Sequence, residues 1–389
     1  MTRLGVIGHG GRISGMIKSC FRNVDPELRV VGIVDPDEAG ARSRLDDVDK
    51  ENVRIYPDLK SLLKDAKPDA LAIGTRCNLH TPFAIQAAAY DLPLFLEKPV
   101  ATSMAQATAL EKAFRKSKCP VIVSFPLRVS PLCDLARRLI GEGAVGNPEH
   151  ILGVNYVPYG TGYFDHFYRD FSVTQGLFLQ KATHDFDYMA CLMGQPITRV
   201  SAMACRGRVF GGKKAAGLRC SKCGETATCL ESPENRKRNG SGGDQRDHWC
   251  SFGKDIGTPE KGMNEDSSSA LLEFANGTHG VYTQVFFSRR DAGARGSTVS
   301  GYKGTVSFDW YKNEMRRIRH HEPFSDVIKP AEGMSHFGGD LELAREFIDL
   351  IRGTPSKRLS IWDGIRSAYA CLAAKEAAET GKSVNVRQI

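Results

Sequence analysis

No stretch of this 389-residue sequence approaches the ~20 consecutive apolar residues needed to span a bilayer. The N-terminus passes directly into RLGVIGHGG with no charged-then-apolar leader, so no signal peptide is expected. Concentrated basic charge is missing too. The net charge of +8 is spread along the chain, and its densest basic run, ENRKRNG, has no neighbouring aromatic platform. That argues against a nucleic-acid-binding surface. The eleven cysteines are odd in number and mostly scattered, a pattern of reduced thiols in a cytoplasm rather than of a disulfide framework. What remains is a composition ordinary for a soluble globular protein, in a chain long enough for two domains.

RLGVIGHGG is a short apolar strand running into glycines, followed by the helical pattern RISGMIKSCFRN. Gly8 permits a tight turn, and Gly10, with Gly11 beside it, lets backbone approach a pyrophosphate at a helix N-terminus. Ile13 stands where the dinucleotide fingerprint has its third glycine, so the motif alone is weak. The next strand, LRVVGIVDPD, ends in Asp35, where an acid would accept hydrogen bonds from the adenosine ribose hydroxyls. A carboxylate there favours NAD over NADP, while Arg12 and Arg42 can offset its repulsion of a 2′-phosphate.

Strand alternates with helix through residue 124, the signature of a doubly wound parallel sheet. PDALAIGT is almost continuously apolar, as a strand buried on both faces must be. Ligands of such sheets sit outside the carboxyl ends of the strands. Thr75, Asn78, His80, Glu97 and Lys98 fall there, and a lysine in a cofactor cleft can stabilise a developing alkoxide. The alternative for Glu97 and Lys98 is a surface ion pair.

QKATHDFDYM, residues 180–189, carries apolar Ala182, Phe186, Met189 and Met193 at helical spacing. On that wheel Gln180 stacks under His184, and Lys181, His184 and Asp187 form a neighbouring stripe. The stripe is either a catalytic face or a solvated one. Arg128 and the loop YGTGYFDHFYRD, with Tyr159, Tyr163, His166 and Arg169, are pocket candidates. Aromatic faces beside hydroxyl-pairing groups suit a carbohydrate, and a loop packed by its own aromatics is equally consistent. In the polar, glycine-rich segment 204–262, Cys220-x2-Cys223-x5-Cys229 and then Cys250 could close a structural zinc site, with His248 as a substitute ligand. The segment has few apolar residues, so a metal would explain its order.

In GVIGHGG, strand-end Asp35, IGTRCNLH leading to LEKPVATS, the GAVGNP turn, KATHDFDYM and the closing SIWDGIRSAYACLAAKEAAETGKSVNV, the chain resembles the Gfo/Idh/MocA oxidoreductases, the group of glucose–fructose oxidoreductase and inositol dehydrogenase. The resemblance covers nearly the whole chain apart from 204–262. It implies a Rossmann domain, placed at 1–124, and a second α/β domain, placed at 125–389, whose large, mostly antiparallel open sheet makes dimer or tetramer contacts. Period-two runs at 149–158, 197–205, 268–287, 297–309 and 313–320 can supply that sheet, and Asn276-Gly277 is a hairpin signal. The resemblance also implies that Lys98 is the catalytic lysine and His184 the proton acceptor. Many members carry an aspartate where this chain has Gln180, and Lys181 is a candidate substitute for a substrate-binding cation.

The function expected is hydride transfer between NAD, or NADP, and a secondary alcohol of a sugar, polyol or sugar derivative. Two alternatives stand beside it. One is a glycosidase that oxidises its sugar transiently, eliminates the aglycone and returns the hydride; the other is a silent dinucleotide or sugar sensor.

Overall fold

The computed structural model describes residues 1–239, 247–258, 260–330 and 335–389. The chain divides into two compact units. One holds Met1–Asp134, Ala331–Tyr369 and Ile389; the other holds Leu135–Pro330 and Ala370–Gln388.

The first unit is built on six parallel strands: β1 (Arg3–Ile7), β2 (Arg29–Val34), β3 (Arg54–Ile55), β4 (Ala70–Ile73), β5 (Leu94–Leu96) and β6 (Val121–Val123). Their order is β3-β2-β1-β4-β5-β6, the doubly wound arrangement with its switch point beside β1. Every residue of β4, β5 and β6 is buried, which explains why these strands read as continuous apolar runs. Helices between strands start at short polar caps. Asp58 accepts from the Ser61 amide at 2.7 Å, and the Ser103 hydroxyl accepts from the Gln106 amide at 3.2 Å.

A division at residue 124 leaves out what the far end of the chain contributes here. The helix Gly339–Ile351 turns Leu343, Ala344, Phe347 and Ile348 into this core. Phe347 packs 5.1 Å from Phe21 and 5.5 Å from Phe95, a three-ring cluster that ties the late segment to the first unit.

The second unit carries nine strands: β7 (His150–Tyr156), β8 (Ile197–Cys205), β9 (Ser267–Phe274), β10 (His279–Val285), β11 (Ala294–Ser300), β12 (Gly304–Asp309), β13 (Glu314–Arg319), β14 (Ser325–Ile328) and β15 (Val384–Asn385). The order is β14-β13-β12-β11-β7-β10-β9-β8-β15, antiparallel except for β7 with β10. The β9–β10 hairpin turns at Asn276-Gly277, where Gly277 has φ +84° and the Asn276 side chain accepts from Thr278.

One face of this sheet packs on the helix Thr183–Met193. Gly153 leaves room for that helix, since a Cβ there would stand 2.6 Å from the Met189 sulfur. Asp185 fixes the helix rotation. Its fully buried carboxylate takes Arg295 from β11 at 3.0 Å, Tyr282 from β10 at 2.9 Å and Asn155 from β7 at 2.9 Å. A buried ion pair needs such extra hydrogen bonds to offset its desolvation.

Candidate active site

In the first unit the glycine loop follows β1. Gly8 has φ +80°, and a Cβ on it would lie 2.6 Å from the Thr75 amide nitrogen, so glycine is required on both counts. Gly10 and Gly11 open the helix Gly11–Met16, and a Cβ on Gly11 would meet nothing within 4 Å. Ile13 is fully buried, and the close approach that a third glycine would provide comes from Gly74 instead. A Cβ on Gly74 would stand 1.9 Å from Ile13 Cγ1. Asp35 accepts from the His9 amide at 2.8 Å and the Asp37 amide at 2.9 Å, which sets its carboxylate against the glycine loop. An open glycine backbone beside a fixed carboxylate, with the buried Asn78 Oδ1 lacking a hydrogen-bond partner among the described residues, fits a dinucleotide.

Glu97 forms no surface pair with Lys98. It is buried and accepts from Arg12 Nε at 2.9 Å and Ser124 Oγ at 2.9 Å. Arg12 also makes a two-point contact with Asp340, at 2.7 and 2.8 Å. Burial opposes the Arg12 charge, but Glu97 and Asp340 raise its pKa above the ordinary arginine value. Asp340 is likewise opposed by burial, yet His336 and Arg12 hold its carboxyl well below the usual range. Arg12 is thus held inside the unit and does not offset Asp35, while Arg42 pairs with Glu38 on an exposed helix. His80 is buried, its ring nitrogens 2.8 and 3.1 Å from the Pro99 and Thr75 carbonyls, so it ties together two loops at the strand ends. Lys98 is half-buried beyond β5. Arg128, in the first unit, is held by Asp363 at 3.0 Å and the Arg358 carbonyl at 2.8 Å.

In the second unit the stretch around His184 is no solvated face. Gln180, Lys181, His184, Asp185 and Asp187 are all buried, together with Ala182, Phe186 and Met189. A helix buried on every side lies within a core, and its titratable groups require a purpose. The segment is also not one regular helix. Phe178–Ala182 forms a π turn, and the α-helix begins at Thr183. The i→i+5 pattern breaks the four-residue stacking of Gln180 under His184 that spacing alone suggested. His184 and Asp187 keep α-helical spacing. Lys181 Nζ donates to the Tyr159 hydroxyl at 2.8 Å and lies 4.9 Å from that ring's centre. Burial drives the Lys181 pKa down. Burial would push Tyr159 up, but Lys181 and Arg295 outweigh it and bring the phenol down to about 8.

Tyr163 and His166 line a cavity with Tyr159, whereas Arg169 does not. Arg169 pairs with Asp255 at 2.8 Å and lies against Trp249, so it secures segment 204–262. Among the described residues no group of three or more His, Cys, Asp or Glu could hold a metal ion, so Cys220, Cys223, Cys229 and Cys250 are not supported as a site. Residues 240–246 and 259 of the segment lie outside the described residues.

What orders it is apolar packing and buried charge. Phe210, Ile256 and Met263 join Val157, Tyr163, Phe164, Leu177 and Phe286 in one cluster. Asp266 accepts from the amides of Arg208, Val209 and Phe210 at 2.7, 3.1 and 3.2 Å. Arg236 donates to Asp165 at 2.8 Å and to His248 Nε2 at 3.0 Å, so His248 is engaged there as an acceptor. Sequence inspection missed Arg236, Glu231, Arg289 and Asp340, because each gains its meaning from a partner far away in the chain.

Residues 2–125 match the family model described as the oxidoreductase family, NAD-binding Rossmann fold, and residues 134–307 match the GFO/IDH/MocA C-terminal domain. A myo-inositol 2-dehydrogenase of Thermotoga maritima is 25% identical over 200 residues, 51% of this chain and 57% of that protein. An inositol 2-dehydrogenase/D-chiro-inositol 3-dehydrogenase of Lacticaseibacillus casei is 30% identical over 149 residues, 38% of this chain and 42% of that protein. The match thus spans about half the length of these curated relatives. A levoglucosan dehydrogenase solved with NADH and levoglucosan superimposes with a TM-score of 0.76 at 18% identity, covering 100% of both chains, a likeness of fold. With both parts of the chain matched and both sheets in place, this protein belongs to the Gfo/Idh/MocA family of NAD-binding oxidoreductases.

Proposed function

We propose that the chain oxidises a secondary alcohol of a sugar, polyol or sugar derivative, or reduces the corresponding ketone. The observation that carries this is the burial of Lys181, His184 and Asp187 within residues 178–193, in a chain whose other unit holds the dinucleotide loop. Such groups are buried at a cost that a purely structural helix would avoid. NAD, when bound, accepts the hydride. His184 takes the hydroxyl proton as the carbon loses hydride, in the role the family resemblance gives it. Lys98 stabilises the developing alkoxide. Asp187 and Lys181 position substrate hydroxyls, and Gln180 lines the π turn that precedes the base. Asp35 selects NAD, because Arg12 and Arg42 are engaged elsewhere.

The outward face of the nine-stranded sheet supports self-association. Leu152, Val281 and Leu271 lie side by side across β7, β10 and β9, and Leu271 is 58% exposed.

The test is cofactor reduction at 340 nm over a panel of sugars, inositols and glycosides, with Lys98→Met as the control. Turnover that Lys98→Met lowers by ~10²-fold supports the assignment. A substrate turned over equally well by Lys98→Met overturns it.

A further inference from the structure

The second unit contains a cavity of about 280 Å³, near the lower end of small-molecule pockets and the size for one ring rather than an extended chain. Its walls come from the loop after β7, from Arg289 and from Arg236 of segment 204–262. We propose that this cavity holds a second, uncharged sugar ring, so that the substrate is a glycoside or disaccharide; this rests on the carbohydrate oxidoreductase function proposed above.

Three observations converge on that occupant. The first is continuity with the candidate active site. Tyr159 forms part of the cavity wall and accepts the hydrogen bond of Lys181, three residues before His184. The cavity wall is thus joined through Lys181 to the helical segment that carries His184. The second is the surface offered. Tyr159 and Phe167 are each 45% exposed, and Tyr163 adds a third ring. Aromatic faces pack on the C–H face of a pyranose without demanding charge.

The third is charge balance. Arg289 donates to Thr161 and to Glu231 Oε1 at 2.6 Å, and Arg236 donates to Asp165 at 2.8 Å and lies 3.5 Å from Glu231. Two guanidiniums are matched by two carboxylates, and His166, also in the cavity wall, lies against one of them, Asp165. A phosphate, sulfate or carboxylate would meet guanidiniums whose charge is already balanced, one of them in the buried Arg236–Asp165 pair, and would gain little for its own desolvation. A neutral hydroxyl can both donate and accept at such a ring of charges and disturbs none of them. An occupant without hydroxyls would leave these groups facing an apolar surface.

The experiment compares maltose, cellobiose and lactose with glucose and galactose, and with the acidic disaccharide cellobiouronic acid. Binding is followed by saturation-transfer NMR on the intact protein, and turnover by NAD reduction. Wild type, Phe167→Ala and Phe167→Tyr are measured after circular dichroism confirms folding. At least one neutral disaccharide should exceed its monosaccharides in kcat/KM. Phe167→Ala should cut that ratio about tenfold, the scale of one lost aromatic contact, and Phe167→Tyr should restore it.

If no sugar is oxidised yet Phe167-dependent disaccharide binding persists, the subsite stands and the oxidoreductase assignment is what fails. A ratio untouched by Phe167→Ala, disaccharides no better than monosaccharides, or preferred binding of the acidic disaccharide would each overturn the subsite.

Discussion

Ile13 fills the space that Gly74 leaves open: a Cβ on Gly74 would stand 1.9 Å from Ile13 Cγ1 and 2.8 Å from its Cδ1. The glycine missing from the loop is supplied by the neighbouring strand. Helix and sheet still approach closely, but the small residue sits on the opposite side of the contact. Gly74→Ala should therefore destabilise the fold by about 1–3 kcal/mol, the cost of overpacking, despite the usual gain on replacing glycine. Gly74→Ala combined with Ile13→Ala should lose less than the sum of the two single variants, since each relieves the other. Thermal melts of the four proteins measure the coupling. Strict additivity would show that Ile13 and Gly74 do not share this space.

Much of the first unit was legible in the sequence, because strands buried on both faces cannot avoid reading as apolar runs. The β9–β10 hairpin was legible for the same kind of reason, as Asn276-Gly277 can hardly do anything else. The π turn at Phe178–Ala182 was not, since a single i→i+5 turn leaves no periodicity in five residues. Nor was the Arg12–Asp340 contact, whose partners lie 328 positions apart. Segment 204–262 reads as polar because its buried apolar residues Phe210 and Ile256 lie far apart in it, and they cluster mainly with residues outside it, Met263 among them. Four cysteines in a segment with no visible core made a metal the natural expectation; the core was present but shared.

Asp35 offers a test of cofactor choice. Its carboxylate is oriented by the amides of His9 and Asp37, and Arg12 is withdrawn into its contacts with Glu97 and Asp340. Asp35→Ala should weaken NADH binding and narrow or reverse the preference over NADPH, measured as dissociation constants from nucleotide fluorescence. The ratio is the informative quantity, because the variant also removes two hydrogen bonds from the loop. If both nucleotides weaken by the same factor, the ribose lies elsewhere.

Tyr159 should ionise early. Burial alone would raise its phenol, but the ammonium of Lys181 and the guanidinium of Arg295 favour the phenolate and bring it down to about 8. An absorbance titration at 295 nm should show one tyrosine ionising about two pH units before the ordinary value of about 10. Lys181→Met removes the positive charge and leaves the burial, so the sign is fixed: the early step must move to higher pH. If it stays in place in Lys181→Met, another tyrosine is responsible.

His184 carries the chemical step in the proposed function, and its neighbour on the regular helix allows the assignment to be separated from a structural role. The pH profile of kcat/KM should show a limb that reports deprotonation of the base. His184→Asn should abolish that limb and lower the rate by roughly 10²–10⁴-fold, the contribution of a positioned proton acceptor. Asp187 lies three residues on, within one turn of the α-helix Thr183–Met193, where a carboxylate favours imidazolium. Asp187→Asn withdraws that charge, so the limb should move to lower pH while remaining present. A helix that was merely loosened would lose rate at every pH without moving the limb. A limb that survives in His184→Asn would pass the proton to another group, with Tyr159 and Lys181 next to be tested.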